Sequence, residues 1–521
     1  MSDDDRPAPV SQPRSGSVPV LAGVAAAPGY AGPFLPAAPP RPPTTVDRML
    51  RSFWAAARRA APVRTLGVCV AVGAVGGAVL VGRRPGIGAA VLGVLVCAAV
   101  VPVVVRRRRF GDLALLVLVA ALLAILGVRT AGWVLALCVV TAAWGAVVAT
   151  TSARTAPSVV LAPLTAALGA VRAVPWVRHG AGAALGGRRR EAVAVLRSAA
   201  ITVGLLAVFG ALFASADQVF AHLVPQVHGD RVPGAAFVGL LVTLAALTLA
   251  HLATAPPVWS RTRLKAAPAA RRAEWLVPVV ALDALVVAFV LVQAVALLGD
   301  PDRVLPSGVT YAEYARQGFA QLVVATALTL VVVGVAARRA PRADARDRLV
   351  TRVALGVLCV ATLGVVASAL RRLDLYVDVF GLTRLRLLVA AAELAMAAVL
   401  VLVLVAGARG SGRWFPRAAV WVAGAAVLGL ALVNPDALIL RHNLDTQPSS
   451  TIDLVYLQGL SDDAAPAIDA LDEPLRSCLL MGTGQETEDD WLSWSWGRQR
   501  ARGIEPEVPV PSWCPARVEV G

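Results

Sequence analysis

IGAAVLGVLVCAAVVPVVV, residues 87–105, carries no charge, and the four arginines at 106–109 follow directly. As a helix rising 1.5 Å per residue, it covers the roughly 30 Å of a bilayer's hydrocarbon. Backbone groups in hydrocarbon must be satisfied internally, so such a run is a helix or part of a closed barrel. Barrel strands alternate apolar and polar residues; this run is apolar throughout. Runs of about 17 to 22 such residues recur along the chain. The sequence therefore predicts an all-α fold, a polytopic helical transmembrane bundle of about eleven spans with a small helical external C-terminal segment. The predicted spans are 65–81, 87–105, 113–128, 132–149, 195–215, 234–253, 276–298, 319–337, 350–370, 387–408 and 418–433.

Composition agrees. The 521 residues are 57% hydrophobic and 16% charged, below the quarter that soluble domains carry. The net charge of +16 does not imply nucleic acid, because the basic residues are spread between the apolar runs. With the N-terminus in the cytoplasm, the inner loops hold twenty-three basic residues and the outer loops ten. That excess sets the expected orientation in a bacterial plasma membrane, N-terminus cytoplasmic and C-terminus external. Trp176, Trp259, Trp275 and Trp414 flank the inner ends as expected interfacial anchors.

The rest of the chain divides around these spans. Residues 1–46 hold eleven prolines and an acidic start and are predicted to be a disordered cytoplasmic tail. A basic juxtamembrane helix is predicted over 47–62, a four-span bundle over 63–150 and a basic cytoplasmic linker over 151–194. A seven-span core at 195–433 and an external helical segment at 434–521 complete the reading. The stretch 158–176 is interrupted by Pro163, Arg172 and Pro175 and reads as an interfacial helix, with a twelfth span as the alternative.

Candidate functional residues fall in three groups. Asp283 and Glu393 are carboxylates well inside spans, with Gln293 as a possible partner; an ionisable group at that depth is costly and is a functional hypothesis by default. At the outer ends Asp217, Glu313, Arg316, Arg384 and Arg386 form a candidate charge cluster, with Asp374 and Asp378 as further acids. Asp217 is expected either to pair with Arg384 or Arg386 or to cap the end of its own span. Thr310 and Glu313 read as a capping box. Cys478 and Cys514 are the only cysteines in the external segment, and a disulfide is expected there. The histidines lack metal spacing, and no nucleotide or nucleophile motif is present, so neither metal nor cofactor is implied. Gly73 and Gly77 form a G-x-x-x-G pattern that reads as helix packing.

LFASADQVF, TYAEYARQGFAQL, FGLTRLRL and NPDALILRHNLDTQPSSTIDLVYLQGLSDDAAPAI together resemble bacterial polytopic membrane proteins of the domain of unknown function 4153/4173 family. The likeness runs from about Arg188 to Arg502 and leaves the first four spans uncovered. It implies an integral membrane protein of unassigned activity and brings no catalytic residues. The family's Asn-Pro start, Arg-x-Asn step and Asp-x-x-Tyr-Leu run fall at Asn434–Pro435, Arg441 to Asn443 and Asp453 to Leu457. His442 stands where an aromatic is expected. Lipid is the expected partner, and the sequence names no protein partner. The favoured role is a non-enzymatic envelope sensor, scaffold or support protein. The alternatives are a secondary transporter using the intramembrane carboxylates and an envelope enzyme acting on a lipid-linked substrate.

Overall fold

The computed structural model describes residues 61–107, 109–186, 231–259, 272–298, 319–341, 344–448, 452–481 and 490–515, with isolated positions at 54, 194, 197, 198, 201, 202, 205 and 209. Ten of the described helices are long and apolar enough to cross a membrane. They are α1 (Val63–Leu80), α2 (Ile87–Arg106), α3 (Phe110–Ala124, extended by a 3₁₀ turn to Gly127) and α4 (Gly132–Thr150). Beyond a further long helix, α5 (Ala162–Leu185), come α6 (Arg231–Thr254), α7 (Arg272–Leu298), α8 (Phe319–Arg339), α9 (Ala345–Phe380), α10 (Arg384–Arg409) and α11 (Phe415–Leu432). No strand occurs among the described residues. Large apolar side chains stay exposed along the ten helices, Val140, Leu285 and Leu328 among them. Such an apolar exterior suits hydrocarbon and not water.

Helix packing joins segments far apart in sequence. α1 runs antiparallel to α6 and is bound to it by the glycines of the G-x-x-x-G pattern. A Cβ on Gly73 would lie 1.7 Å from Thr243 Oγ1, and one on Gly77 would lie 2.2 Å from the Ala235 carbonyl oxygen. Small residues let the two backbones approach, which is how helices associate where lipid removes the hydrophobic drive. α2, α3 and α4 pack in sequence beside this pair, and α11 inserts against α3 and α4. Their shared core includes Val119, Leu122, Val134, Cys138, Leu252 and Val420. α7, α8, α9 and α10 pack among themselves, and α11 is their link to the first set through α10.

The bundle has two ends. The linker end holds the start of α1 and the ends of α4 and α6; Trp259, just past α6, donates from Nε1 to the Thr151 carbonyl at 3.2 Å. α5 keeps to this end. Gly169 faces Leu252, the Trp176 ring meets that of His251 at a tilt of 55° with centroids 5.3 Å apart, and Gly180 meets Ala61 ahead of α1. α5 is not among the ten apolar helices, and it packs on α6, α4 and α1. Arg231 starts α6 at the opposite end, against Gly82. The fifth expected span, 195–215, lies outside the described residues apart from six helical positions.

Two expectations change. The ninth span was expected at 350–370, but α9 is 36 residues long, about 54 Å. Its polar last turns stay helical because Arg371 pairs with Asp374 at i,i+3 (2.7 Å) and nothing breaks the helix before Gly381, at φ +75°. Trp176 and Trp275, expected at the lipid interface, are instead buried within the protein, Trp176 because α5 packs on α6 and α1.

Replacing Gly77 by leucine forces the α1–α6 seam apart. We expect a loss of about 1–3 kcal/mol or more, read as a lower thermal midpoint in detergent, with Gly67→Leu, which meets open space, as the control.

Candidate functional site

At the tail end, α11 stops and the chain turns back at Asn434. This residue takes a left-handed conformation (φ +56°), and its side chain accepts from the Ala437 amide. Pro435 then opens α12 (Pro435–Thr446), a position that tolerates proline because its amide would have no partner. The second residue of α12, Asp436, is fully buried. Its Oδ1 accepts from Arg384 Nε (3.2 Å) and Trp133 Nε1 (3.2 Å). Its Oδ2 accepts from Arg384 Nη2 (2.7 Å) and the Ser461 amide (2.9 Å). Arg384 Nη2 also donates to the Gly459 carbonyl (2.9 Å), and its amide donates to Tyr456 Oη (2.7 Å). Burial alone would raise the Asp436 carboxyl, but the bonds and charge of Arg384, with Ser461, outweigh it and hold the group below the usual carboxylate range.

A second carboxylate completes the clasp. Asp463 Oδ2 accepts from the amides of Thr130 (2.7 Å) and Ala131 (3.1 Å), at the start of α4. A carboxylate suits that place, because the first amides of a helix lack partners and carry partial positive charge. Burial nevertheless raises the Asp463 carboxyl, with the Thr130 and Ala131 amides and Arg129 opposing. Arg129 donates to the carbonyls of Ala431 (2.7 Å) and Leu432 (2.6 Å), closing the end of α11. Asn443 brackets the α9–α10 turn by bonding both the amide and the carbonyl (3.0 Å) of Leu382.

The remaining tail reaches over the first spans. The Ile87 amide, opening α2, donates to the Trp494 carbonyl (2.7 Å), Arg83 pairs with Asp490 (2.8 Å), and Arg498 Nη2 donates to the Pro85 carbonyl (2.8 Å). Cys478 and Cys514 are disulfide-bonded, their Cα atoms 5.8 Å apart.

The structure thus pairs Arg384 with Asp436, an acid the sequence reading had not singled out. Arg386 donates to the Phe380 carbonyl (2.8 Å) and that of Gly381, and lies 4.3 Å over the Tyr376 ring. Asp217, Glu313, Arg316 and the capping box at 310–313 lie outside the described residues. In the intramembrane group, Asp283 and Gln293 stand apart on α7. Gln293 Oε1 accepts from Ser368 Oγ (3.1 Å) and Arg372 Nη2 (2.8 Å) on α9. Asp283 stands ten residues earlier on α7, about 15 Å along it, and its Oδ1 has no hydrogen-bond partner among the described residues. Glu393, on α10, is fully buried, and neither carboxylate oxygen has a partner among them. At the linker end a further buried acid, Asp112, accepts from Arg417 and from Ser152 Oγ (2.7 Å), tying α3, α4 and α11 together. No group of three or more metal-ligating side chains occurs among the described residues.

These features define a multi-pass helical membrane protein whose C-terminal segment is clasped onto one end of its bundle by buried carboxylates. Within that class, the chain belongs to the family described as Domain of unknown function (DUF4153), whose model matches residues 113–471. No curated protein and no solved structure matches the chain. The family match begins and ends earlier than the strings carrying the likeness suggested. It takes in most of α3 and all of α4, with Asp436, Tyr456, Ser461 and Asp463, and stops before the disulfide and the tryptophan-rich segment.

Asp436→Asn should loosen the tail by about 3 kcal/mol, the low end for breaking a buried ion pair because Arg384 is about a third exposed. Proteolysis of the tail in the purified protein measures this, with exposed Asp445→Asn as the control. Because folding lowers the Asp436 pKa, the wild-type stabilisation is full above about pH 3.9 and is lost as pH falls through the lower folded value. The Asn variant should lack that acid-side loss. Reducing the Cys478–Cys514 bond, which closes 36 residues of sequence separation, should cost the tail about 2–4 kcal/mol. Thiol labelling of intact cells should find both cysteines blocked until reductant is added.

Proposed function

We propose that this chain is a non-enzymatic support or scaffold protein of the cell envelope, which holds its C-terminal segment at the outer face of the plasma membrane. The observation that carries the reading is the use made of the tail carboxylates. Three of the four bonds to Asp436 and both amide bonds to Asp463 fasten tail to spans, and the fourth, from the Ser461 amide, holds the tail to itself. An envelope hydrolase or transferase would need such acids free for its substrate. The excess of basic residues on the linker side supports a cytoplasmic N-terminus and an external tail, and the disulfide suits an oxidising compartment. Alkaline phosphatase fused after Gly521 should be active in cells, and a cytoplasmic fluorescent reporter at the same point should be dark. The reverse pattern would overturn the orientation.

A secondary transporter is the second reading, supported by Glu393, a fully buried carboxylate without a partner among the described residues. Proteoliposomes under an imposed pH gradient separate the two. The scaffold reading expects the same proton leak from wild type and from Asp283→Asn/Glu393→Gln. A flux that wild type supports and the double variant loses would establish transport instead.

A further inference from the structure

α7 and α9 run side by side in the same direction and are tied near both ends. Arg272 pairs with Asp347 at their starts, and Gln293 meets Ser368 and Arg372 further along. Between these ties the helices leave a groove of about 480 Å³. Val290 and Leu291 of α7 and Val353, Gly356 and Val360 of α9 line it, and Arg352 is the one charged residue on its wall. Leu291, Val353 and Val360 are 61%, 56% and 60% exposed, so the groove opens sideways into hydrocarbon and not along the bundle axis. A Cβ on Gly356 would meet nothing within 4 Å, so the floor at that point is open space.

Arg352 lies at the linker end of the groove. Its Nη2 comes within 2.8 Å of where a Cβ on Gly410 would stand, in the turn that ends α10. Its guanidinium therefore sits at the level of the helix ends, where headgroups begin. It is exposed and makes no hydrogen bond or ion pair among the described residues. Arg346, Arg409 and Arg413 belong to the same end. A guanidinium with free donors matches a phosphate in a two-pronged bond, and neighbouring cations raise the local concentration of anionic lipid.

We propose that the α7–α9 groove is a lipid site. It takes one acyl chain of an anionic phospholipid from the leaflet at the linker end, and Arg352 binds the phosphate. The volume falls in the range of about 300–1,000 Å³ usual for ligand pockets. The apolar wall supplies chain affinity without headgroup choice; Arg352 supplies the choice.

Native mass spectrometry of the full chain in neutral detergent tests this, titrating phosphatidylglycerol against phosphatidylcholine. Wild type should retain one phosphatidylglycerol with about fivefold preference. Arg352→Gln should bind both lipids equally, and Gly356→Leu, which fills open space, should weaken both. Thermal midpoints should be unchanged, separating loss of binding from loss of fold. Equal retention of the two lipids by wild type would overturn the proposal. So would undiminished phosphatidylglycerol binding in both variants, or a copurifying polypeptide that Gly356→Leu displaces.

Discussion

Asp436 is a carboxylate taken wholly out of water, and the arrangement at the tail end follows from what that requires. A buried charge is tolerable only when it is paired and hydrogen-bonded. The required donors come from α10, α4 and the tail itself, so satisfying one side chain fixes three segments relative to one another. Arg384 in turn carries the Gly459 carbonyl and the Tyr456 hydroxyl, which extends the same constraint along the tail. Asp112 plays the matching part at the linker end, where Arg417 and Ser152 converge on it. α11 begins beside one of these buried acids and ends beside the other, and it is also the helix that joins the two packed sets.

The spans were legible because hydrocarbon thickness imposes a length and forbids charge, and both are visible in the residue order. The G-x-x-x-G pattern was legible as packing, though not its partner, since Gly239 and Ala235 of α6 carry no mark of their own. The length of α9 was hidden by Arg371, Arg372 and Asp374, which resemble loop residues until their spacing on a helix is seen. Arg384 was recognisable as a charge needing a counter-ion. Its partner was not, because residue order gives no register between the tail and α10, and acids nearer in sequence or at the same face competed for the assignment. A signal did exist: Asn-Pro-Asp marks a helix start with an acid in its first turn. Asp112 was masked by the four arginines before it, which draw attention as a topology signal. Gln293 is a candidate partner for the buried carboxylates, but ten residues of helix separate it from Asp283, and its bonds go to Ser368 and Arg372 of α9.

The strings that carry the family likeness also gain a common meaning. FGLTRLRL contains Arg384, and the long tail string contains Asn434, Asp436, Asn443, Tyr456, Ser461 and Asp463. These residues meet at one end of the bundle, so the likeness describes a joint between spans and tail and not a row of catalytic groups. The disulfide and the tryptophan-rich contacts to α2 lie beyond residue 471, where the family match ends, as a second fastening of the same tail.

The seam between Gly77 of α1 and Ala235 of α6 also has a consequence in time. At roughly 5–20 residues per second, the ribosome completes α6 many seconds after α1 has entered the bilayer. During that interval the glycine face of α1 lacks the helix it closes against in the finished fold. Synthesis of this protein thus includes a waiting period for its first span, and its length is set by how much chain separates the two halves of one glycine contact. An insertion between α4 and α6 that left every contact intact would lengthen that wait, exposing the nascent chain to membrane proteases without altering the finished fold.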